Sequence, residues 1–196
     1  MIKTNIASIY PNHINKYRTS NTAIYIADYT EQTKSLIPRR GVEVFNENPP
    51  TDIEFFTLIN DSSVEIGYID FDNFSFLHSN GNPRTQCECV IFPNVSIDSS
   101  WILFCELKYS SKISNNPKNL KKAISQLFKT RYYYFQENIF VKTNTSYLIA
   151  SLPLQPEPFL NFSLTPSYLI SLKSKRNIIL RLKNSVEVSN TTNISV

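Results

Sequence analysis

The sequence predicts a mixed α/β fold of the α+β kind: one domain built on a central mixed β-sheet flanked by helices. Three observations carry that expectation. Runs rich in aromatic and β-branched residues recur at 64–74, 85–92, 101–109 and 146–152, bounded by Pro, Gly, Asn, Asp or Ser. The stretch 116–135 instead spaces its apolar residues three and four apart, the period of a helix with one buried face. With 196 residues, 41% of them hydrophobic, the chain is long and apolar enough to bury one sizeable core.

Composition excludes several classes. No run approaches the roughly 20 apolar residues that span a bilayer. The opening Met1-Ile2-Lys3-Thr4-Asn5-Ile6 lacks the apolar centre of a secretory leader, so a cytoplasmic location is expected. Three glycines leave no glycine-rich phosphate loop, and there is no Gly-x-Ser-x-Gly nucleophile turn. Cys87, Cys89 and Cys105 are odd in number and sit in strand-like runs. Cys-x-Cys is a weak zinc pattern, and His13 and His78 are distant in sequence, so the thiols read as small buried hydrophobes. The net charge of +4 is unevenly spread: residues 1–100 hold 7 basic and 12 acidic side chains, residues 101–196 hold 13 and 4. A basic half of that kind suits contact with phosphates, although any single lysine serves equally as a solvated charge.

Residues 1–50 show no firm period, and 22–29 fits either a strand or a helical turn. Asn48-Pro49-Pro50-Thr51 is the first clear break. Residues 52–59 fit a short helix or the first arm of a hairpin, with Asn60-Asp61-Ser62-Ser63 as its turn. The strand at 64–74 puts Val64, Ile66 and Tyr68 on one side. After a loop at 78–83, Cys87, Cys89 and Ile91 alternate with Gln86, Glu88, Val90 and Phe92.

In 101–109 the alternation places Glu106 and Lys108 beside Ile102 and Phe104. A charge inside such a run is costly unless paired or bound to a metal. Antiparallel pairing with 85–92 lets Glu88 share their face. The helix that follows has Asn116 to cap it and Pro117 in its first turn. Leu120, Ala123, Ile124, Leu127, Phe128, Tyr134 and Phe135 form its buried stripe, with Gln126 at the border. Lys118, Lys121, Lys122, Lys129 and Arg131 lie mostly off that stripe. A strand at 146–152 ends at Pro153. Two more strands, 168–172 and 178–188, are expected around Lys173-Ser174-Lys175-Arg176-Asn177, with the last eight residues frayed. The organisation expected is a core at about 52–152, an N-terminal extension 1–50 and a β-rich C-terminal extension 153–188.

The order strand, strand with Glu88, strand with Glu106-Leu107-Lys108, helix with Gln126, strand resembles the PD-(D/E)xK, or restriction-endonuclease-like, nuclease superfamily over about residues 52–152. An acid-x-Lys triplet is expected about once by chance in a chain of this composition, so its setting carries the resemblance. Taken residue by residue, the resemblance implies Glu88 as the first acid, Glu106 and Lys108 as the triplet and Gln126 as the helix residue. Glu88 and Glu106 would hold Mg²⁺ or Mn²⁺. The activity implied is metal-dependent hydrolysis of phosphodiester bonds, with DNA as the foremost partner and Lys112, Lys118, Lys121, Lys122 and Lys129 meeting its backbone. The chain departs from the pattern where Cys87-Glu88 replaces the usual Pro-Asp, which adds one methylene of reach. Glu54 is the candidate for the extra acid often seen in the family, with Asp70, Asp72 and Asp98 as alternates. The alternative is a catalytically inactive module on the same scaffold, holding nucleic acid or a protein partner through the basic helix and the 173–183 region. Restriction-type enzymes commonly dimerise, but no interface is legible in the sequence.

Overall fold

The computed structural model describes residues 1–95, 97 and 99–196. Its strands are β1 (Arg18–Ser20), β2 (Ile24–Asp28), β3 (Val42–Asn46), β4 (Phe56–Ile59), β5 (Ile66–Asp70), β6 (Cys89–Pro93), β7 (Ile102–Leu107), β8 (Ser146–Ser151), β9 (Ile178–Leu182), β10 (Ser185–Val188) and β11 (Ile194–Ser195). The helices are α1 (Ile2–Ile9), α2 (Pro11–Ile14), α3 (Asn116–Gln136) and α4 (Pro166–Arg176). They make a mixed α/β fold with two mixed sheets. One has six strands in the order β1-β5-β6-β7-β8-β9; the other has five, β11-β10-β4-β2-β3.

The six-stranded sheet is covered on both faces, which explains why β6, β7 and β8 read as unbroken apolar runs. Ile102, Phe104, Val90, Phe92, Leu148 and Ala150 pack on α1, α3 and α4 through Ile2, Ile6, Leu120, Ala123, Leu127 and Leu172. Leu103, Cys105, Leu107, Cys89, Ile91 and Ile149 pack the opposite way on Ile24, Ile26, Phe56, Leu58 and Val186 of the second sheet. Helices therefore flank one face of the central sheet, and a second sheet that the sequence did not announce covers the other. β5, β6 and β7 form an antiparallel meander, α3 crosses over, and β8 returns parallel to β7.

Several expectations are corrected. The 60–63 turn does not close a hairpin; it carries the chain from β4 in one sheet to β5 in the other. Asn60 shapes that passage, its side chain accepting from Val64 N–H at 3.2 Å and donating to Val64 O at 2.8 Å. Residues 168–172 lie in α4, not in a strand. Five consecutive apolar or small residues fit either state, and Pro166 at the start with left-handed Asn177 (φ 52°) at the end decides for helix. The last eight residues are anchored: Trp101 Nε1 donates to Asn190 O at 2.8 Å, and Ile194, buried, donates its N–H to Tyr147 Oη at 3.1 Å.

Asn116 does not cap α3; it is the first helical residue, and its amide donates to Gln155 Oε1 and Leu160 O. Arg131 is buried rather than off the stripe. Residues outside 52–152 supply β1 and β9 to the first sheet and β2, β3, β10 and β11 to the second, so both flanks are woven into the sheets. No described helix is long and apolar enough to cross a membrane.

Candidate active site

The pairing of β6 with β7 sets Cys89 opposite Cys105 and Val90 opposite Phe104. The paired register ends there, and Glu88 stands one residue before β6, beside the end of β7 that carries Glu106. The backbone of Glu88 is held on both sides. Its N–H donates to Cys105 O at 3.0 Å, and its carbonyl accepts Phe71 N–H at 2.8 Å. Lys108 N–H donates to Ser151 O at 2.9 Å, which ties the end of β7 to β8. Both acids and the amine therefore stand on backbone fixed by neighbouring strands.

Glu106 is wholly buried, whereas the Lys108 side chain keeps 18% of its surface in solvent. Lys108 Nζ donates to Glu106 Oε1. Glu106 Oε2 is buried and receives no hydrogen bond from any N–H or hydroxyl group. The Glu88 carboxyl, half-buried, lies in hydrogen-bonding contact with that of Glu106. Burial raises the Glu88 pKa well above the carboxylate range, and the charges of Glu106 and Asp28 add to this. Burial also raises Glu106, to about 7, against the opposing pull of Lys108 and of the hydrogen bond from Glu88. Two adjacent carboxylates in a buried setting cannot both ionise cheaply, so the pair favours a state that carries one negative charge rather than two.

The chain bends at Glu88, and the alternation expected through 85–92 breaks there. Cys87 joins Val90 and Phe92 on the helix side instead of pairing with Cys89 and Ile91. α3 makes the bend. Thr130 Oγ1 accepts Cys87 N–H at 2.7 Å and donates to Gln126 O at 3.0 Å, while Gln126 Nε2 donates to Gln86 O at 2.8 Å. Gln126 thus holds the backbone that carries Glu88 and does not contact the carboxylates.

The remaining candidates spread apart. Lys112, Lys118, Lys121, Lys122 and Lys129 are exposed, and only Lys129 approaches the strand leading to Glu88, with Nζ 3.5 Å from Thr85 Oγ1. Glu54 is exposed and outside any helix; its carbonyl accepts Tyr109 Oη–H at 2.7 Å. Asp70 and Asp72 pair with Lys16 at 3.6 and 2.7 Å. Asp98 lies outside the described residues. The cysteines are free and buried.

Sequence reasoning missed Asp28. It ends β2 in the second sheet, and its charge raises both Glu88 and Glu106. Its N–H donates to Tyr109 Oη at 3.2 Å, and a cleft of 610 Å³ lined by Asp28, Asp52, Glu54, Tyr109 and Leu154 opens there. The only signal was an acid closing an alternating strand, which means little until the facing sheet is known.

Comparisons with family models, curated proteins and solved structures find no match. The donor set itself is informative. Two carboxylates, one with a buried oxygen lacking a donor, fit Mg²⁺, which takes one or two carboxylates and keeps several waters. Among the described residues no group of three or more His, Cys, Asp or Glu side chains forms a metal cluster.

Proposed function

We propose that Glu88, Glu106 and Lys108 form the centre of a metal-dependent nuclease that hydrolyses phosphodiester bonds, with DNA as its substrate. The observation that carries this reading is the side-by-side placement of the Glu88 and Glu106 carboxyls, with Glu106 Oε2 buried and undonated and Lys108 alongside. The β5–β6–β7 meander followed by α3 and parallel β8 supports assigning the centre to a PD-(D/E)xK-like core.

Bound Mg²⁺ or Mn²⁺ would polarise the scissile phosphate and acidify the attacking water. The chain's own residues supply the rest. Glu88 and Glu106 are the carboxylates that would hold the ion, and any proton held between them would be released on doing so. Lys108, the partly exposed member, presents its ammonium to a phosphoryl oxygen or to the attacking water, where a fixed cation stabilises growing charge. Gln126 and Thr130 keep the Glu88 segment in register with β7. Backbone held by neighbouring strands keeps these groups from having to reorganise during reaction.

The test is cleavage of supercoiled plasmid with Mg²⁺ or Mn²⁺, using Glu106→Gln and Lys108→Met variants whose folding is checked by circular dichroism. Loss of cleavage in both folded variants is the expected result. Wild-type cleavage in both refutes the assignment.

A second reading has its own support. With no group of three metal-ligating side chains among the described residues, and with Lys108 already closing on Glu106, the same scaffold suits a non-catalytic nucleic-acid-binding module. Salt-sensitive DNA binding with no product under any divalent ion would select it.

A further inference from the structure

The two sheets end in open strands that face one another, β1 on the six-stranded sheet and β3 on the five-stranded one. A cleft of 830 Å³ runs between them, walled on one side by the whole of β3 and on the other by Tyr17, Arg18, Thr19 and Tyr68. All five residues of β3 line it, whichever face their side chains take, so the cleft lies along the edge of the strand. At 3.3 Å per residue, β3 presents about 17 Å of backbone there.

That backbone is only half used. Tyr29 N–H donates to Gly41 O at 3.0 Å, one pair beyond the register that sets Asp28 against Val42, Ala27 against Glu43 and Ile26 against Val44. In an antiparallel ladder alternate residues bond to the partner strand, so Gly41, Glu43 and Phe45 turn their main chain to β2. Val42 and Val44 turn theirs the other way. Neither valine finds a main-chain partner on that side among the described residues.

The usual protections of a sheet edge are missing from β3. It holds no proline and no lysine, and its register with β2 runs through Val42–Asn46 without a bulge. The other edges are short or covered. β1 has three residues and β11 two, and Arg181 folds onto the main chain of β9, donating to Leu180 O at 3.0 Å. A row of unpaired N–H and C=O groups is a template for one more strand. Nucleic acid carries no alternating amide donors and acceptors with which to fill it.

Charge narrows the occupant. Lys16 is taken by Asp70 and Asp72, and Glu43 by Arg40. Arg18, exposed, uses only Nη1, which donates to Asn15 O and Tyr17 O at 3.1 and 2.9 Å. It enters no ion pair among the described residues, so the wall opposite β3 offers one uncommitted cation. Val42 and Val44 pack against the core between the sheets, and a strand added beside them brings every second side chain to that same side. The β3 of a second copy is itself built into the wall of such a cleft, whereas a free extended segment can enter one.

We propose that the outer edge of β3 is a docking site for an extended peptide segment of a partner protein, which adds one strand to the five-stranded sheet and brings an acidic side chain to Arg18. Aliphatic residues two positions either side of that acid lie along Val42 and Val44. The site is independent of the chemistry at Glu88 and Glu106.

The probe is a fluorescein-labelled peptide amide, Thr-Val-Thr-Glu-Thr-Val-Thr, whose palindromic order serves either strand direction. Fluorescence anisotropy should show saturable binding to the full chain. Val44→Pro removes the outward N–H without touching a bond to β2, as edge strands tolerate, and should weaken binding about tenfold. Arg18→Glu should weaken it about fivefold or more, and the same peptide with Lys in place of Glu should prefer that variant to wild type. In wild type the Val42 and Val44 amides should exchange rapidly with solvent and become protected when the peptide binds. No saturable binding, wild-type affinity in Val44→Pro, or unaltered exchange at both valines overturns the proposal. A dimer that forms without peptide and is lost in Val44→Pro, read by sedimentation equilibrium, overturns it in favour of pairing between two copies. Should Val44→Pro fail to fold, exchange at the two valines decides.

Discussion

Replacing Glu88 by Gln tests whether the paired carboxyls share a proton. Both groups have folded-state pKa values raised above that of a free carboxyl, Glu88 the more strongly. A raised carboxyl contributes stability in full below its unfolded pKa of 4.5, and that contribution is lost as pH climbs toward the folded value. While Glu88 retains a proton that the unfolded chain has released, metal-free protein loses about 1.4 kcal/mol per pH unit from this residue. Glu88→Gln keeps the size and one donor toward Glu106 but has nothing to titrate. Urea unfolding in EDTA at pH 5, 6, 7 and 8 should therefore show the variant gaining on wild type by that slope. The same variant should lose the stabilisation that Mg²⁺ or Mn²⁺ gives wild type. Parallel stability curves for the two proteins would mean that no proton is shared, and the electrostatic account of the centre would be wrong.

Other consequences can be checked independently. Thr130→Val removes the acceptor of the buried Cys87 N–H, and an unsatisfied buried donor costs roughly 1–3 kcal/mol, measurable by denaturant unfolding. A change near zero would show that the clamp on the Glu88 segment is not needed. At Gly67 an added Cβ would lie 2.4 Å from the Tyr17 ring. Gly67→Ala should thus destabilise by about 1–3 kcal/mol, with most of the loss recovered in a Tyr17→Ala background. Burial in an aromatic cluster with Tyr10, Phe76 and Tyr134 lowers the His13 pKa below 6.5. The stability it contributes is complete above pH 6.5 and lost as pH falls through the folded value. The imidazole resonances of His13 should report a neutral ring at pH 6.5; half-protonation at or above that pH would contradict its burial.

What could be read from the sequence follows from where the contacts lie. β7 was legible because it is buried on both faces, so its apolar run is unbroken and a charge within it stands out. Strand parity allowed Glu88 to share a face with Glu106, whereas the structure sets it beside the end of β7 at a bend where that alternation breaks. The second sheet was not legible. Its strands are short, and β4 pairs in parallel with β10, Thr57 beside Ser185, across most of the chain. No local pattern reports a partner that far away. The bend at Glu88 was hidden for a similar reason, since the hydroxyl that enforces it comes from α3. Arg131 misled because a charged residue on a helix is ordinarily solvated, whereas this one is covered by Phe135 and Phe140.

The acid pair follows a physical logic that sets it apart from the other charges of the molecule. Lys16 with Asp70 and Asp72, and Arg40 with Glu43 and Asp52, pair opposite charges on partly exposed side chains, an arrangement worth little and costing little. Glu88 with Glu106 instead holds like-charged groups together where Glu106 is cut off from water. Such an arrangement does not serve packing, because apolar residues of the same volume would be at least as stable there. The bracing comes from α3: Gln126 and Thr130 grip the backbone that leads to Glu88, so the acid is held beside Glu106 by contacts that do not involve its own carboxyl. A bound cation would supply the counter-charge that Lys108 gives to only one oxygen of Glu106.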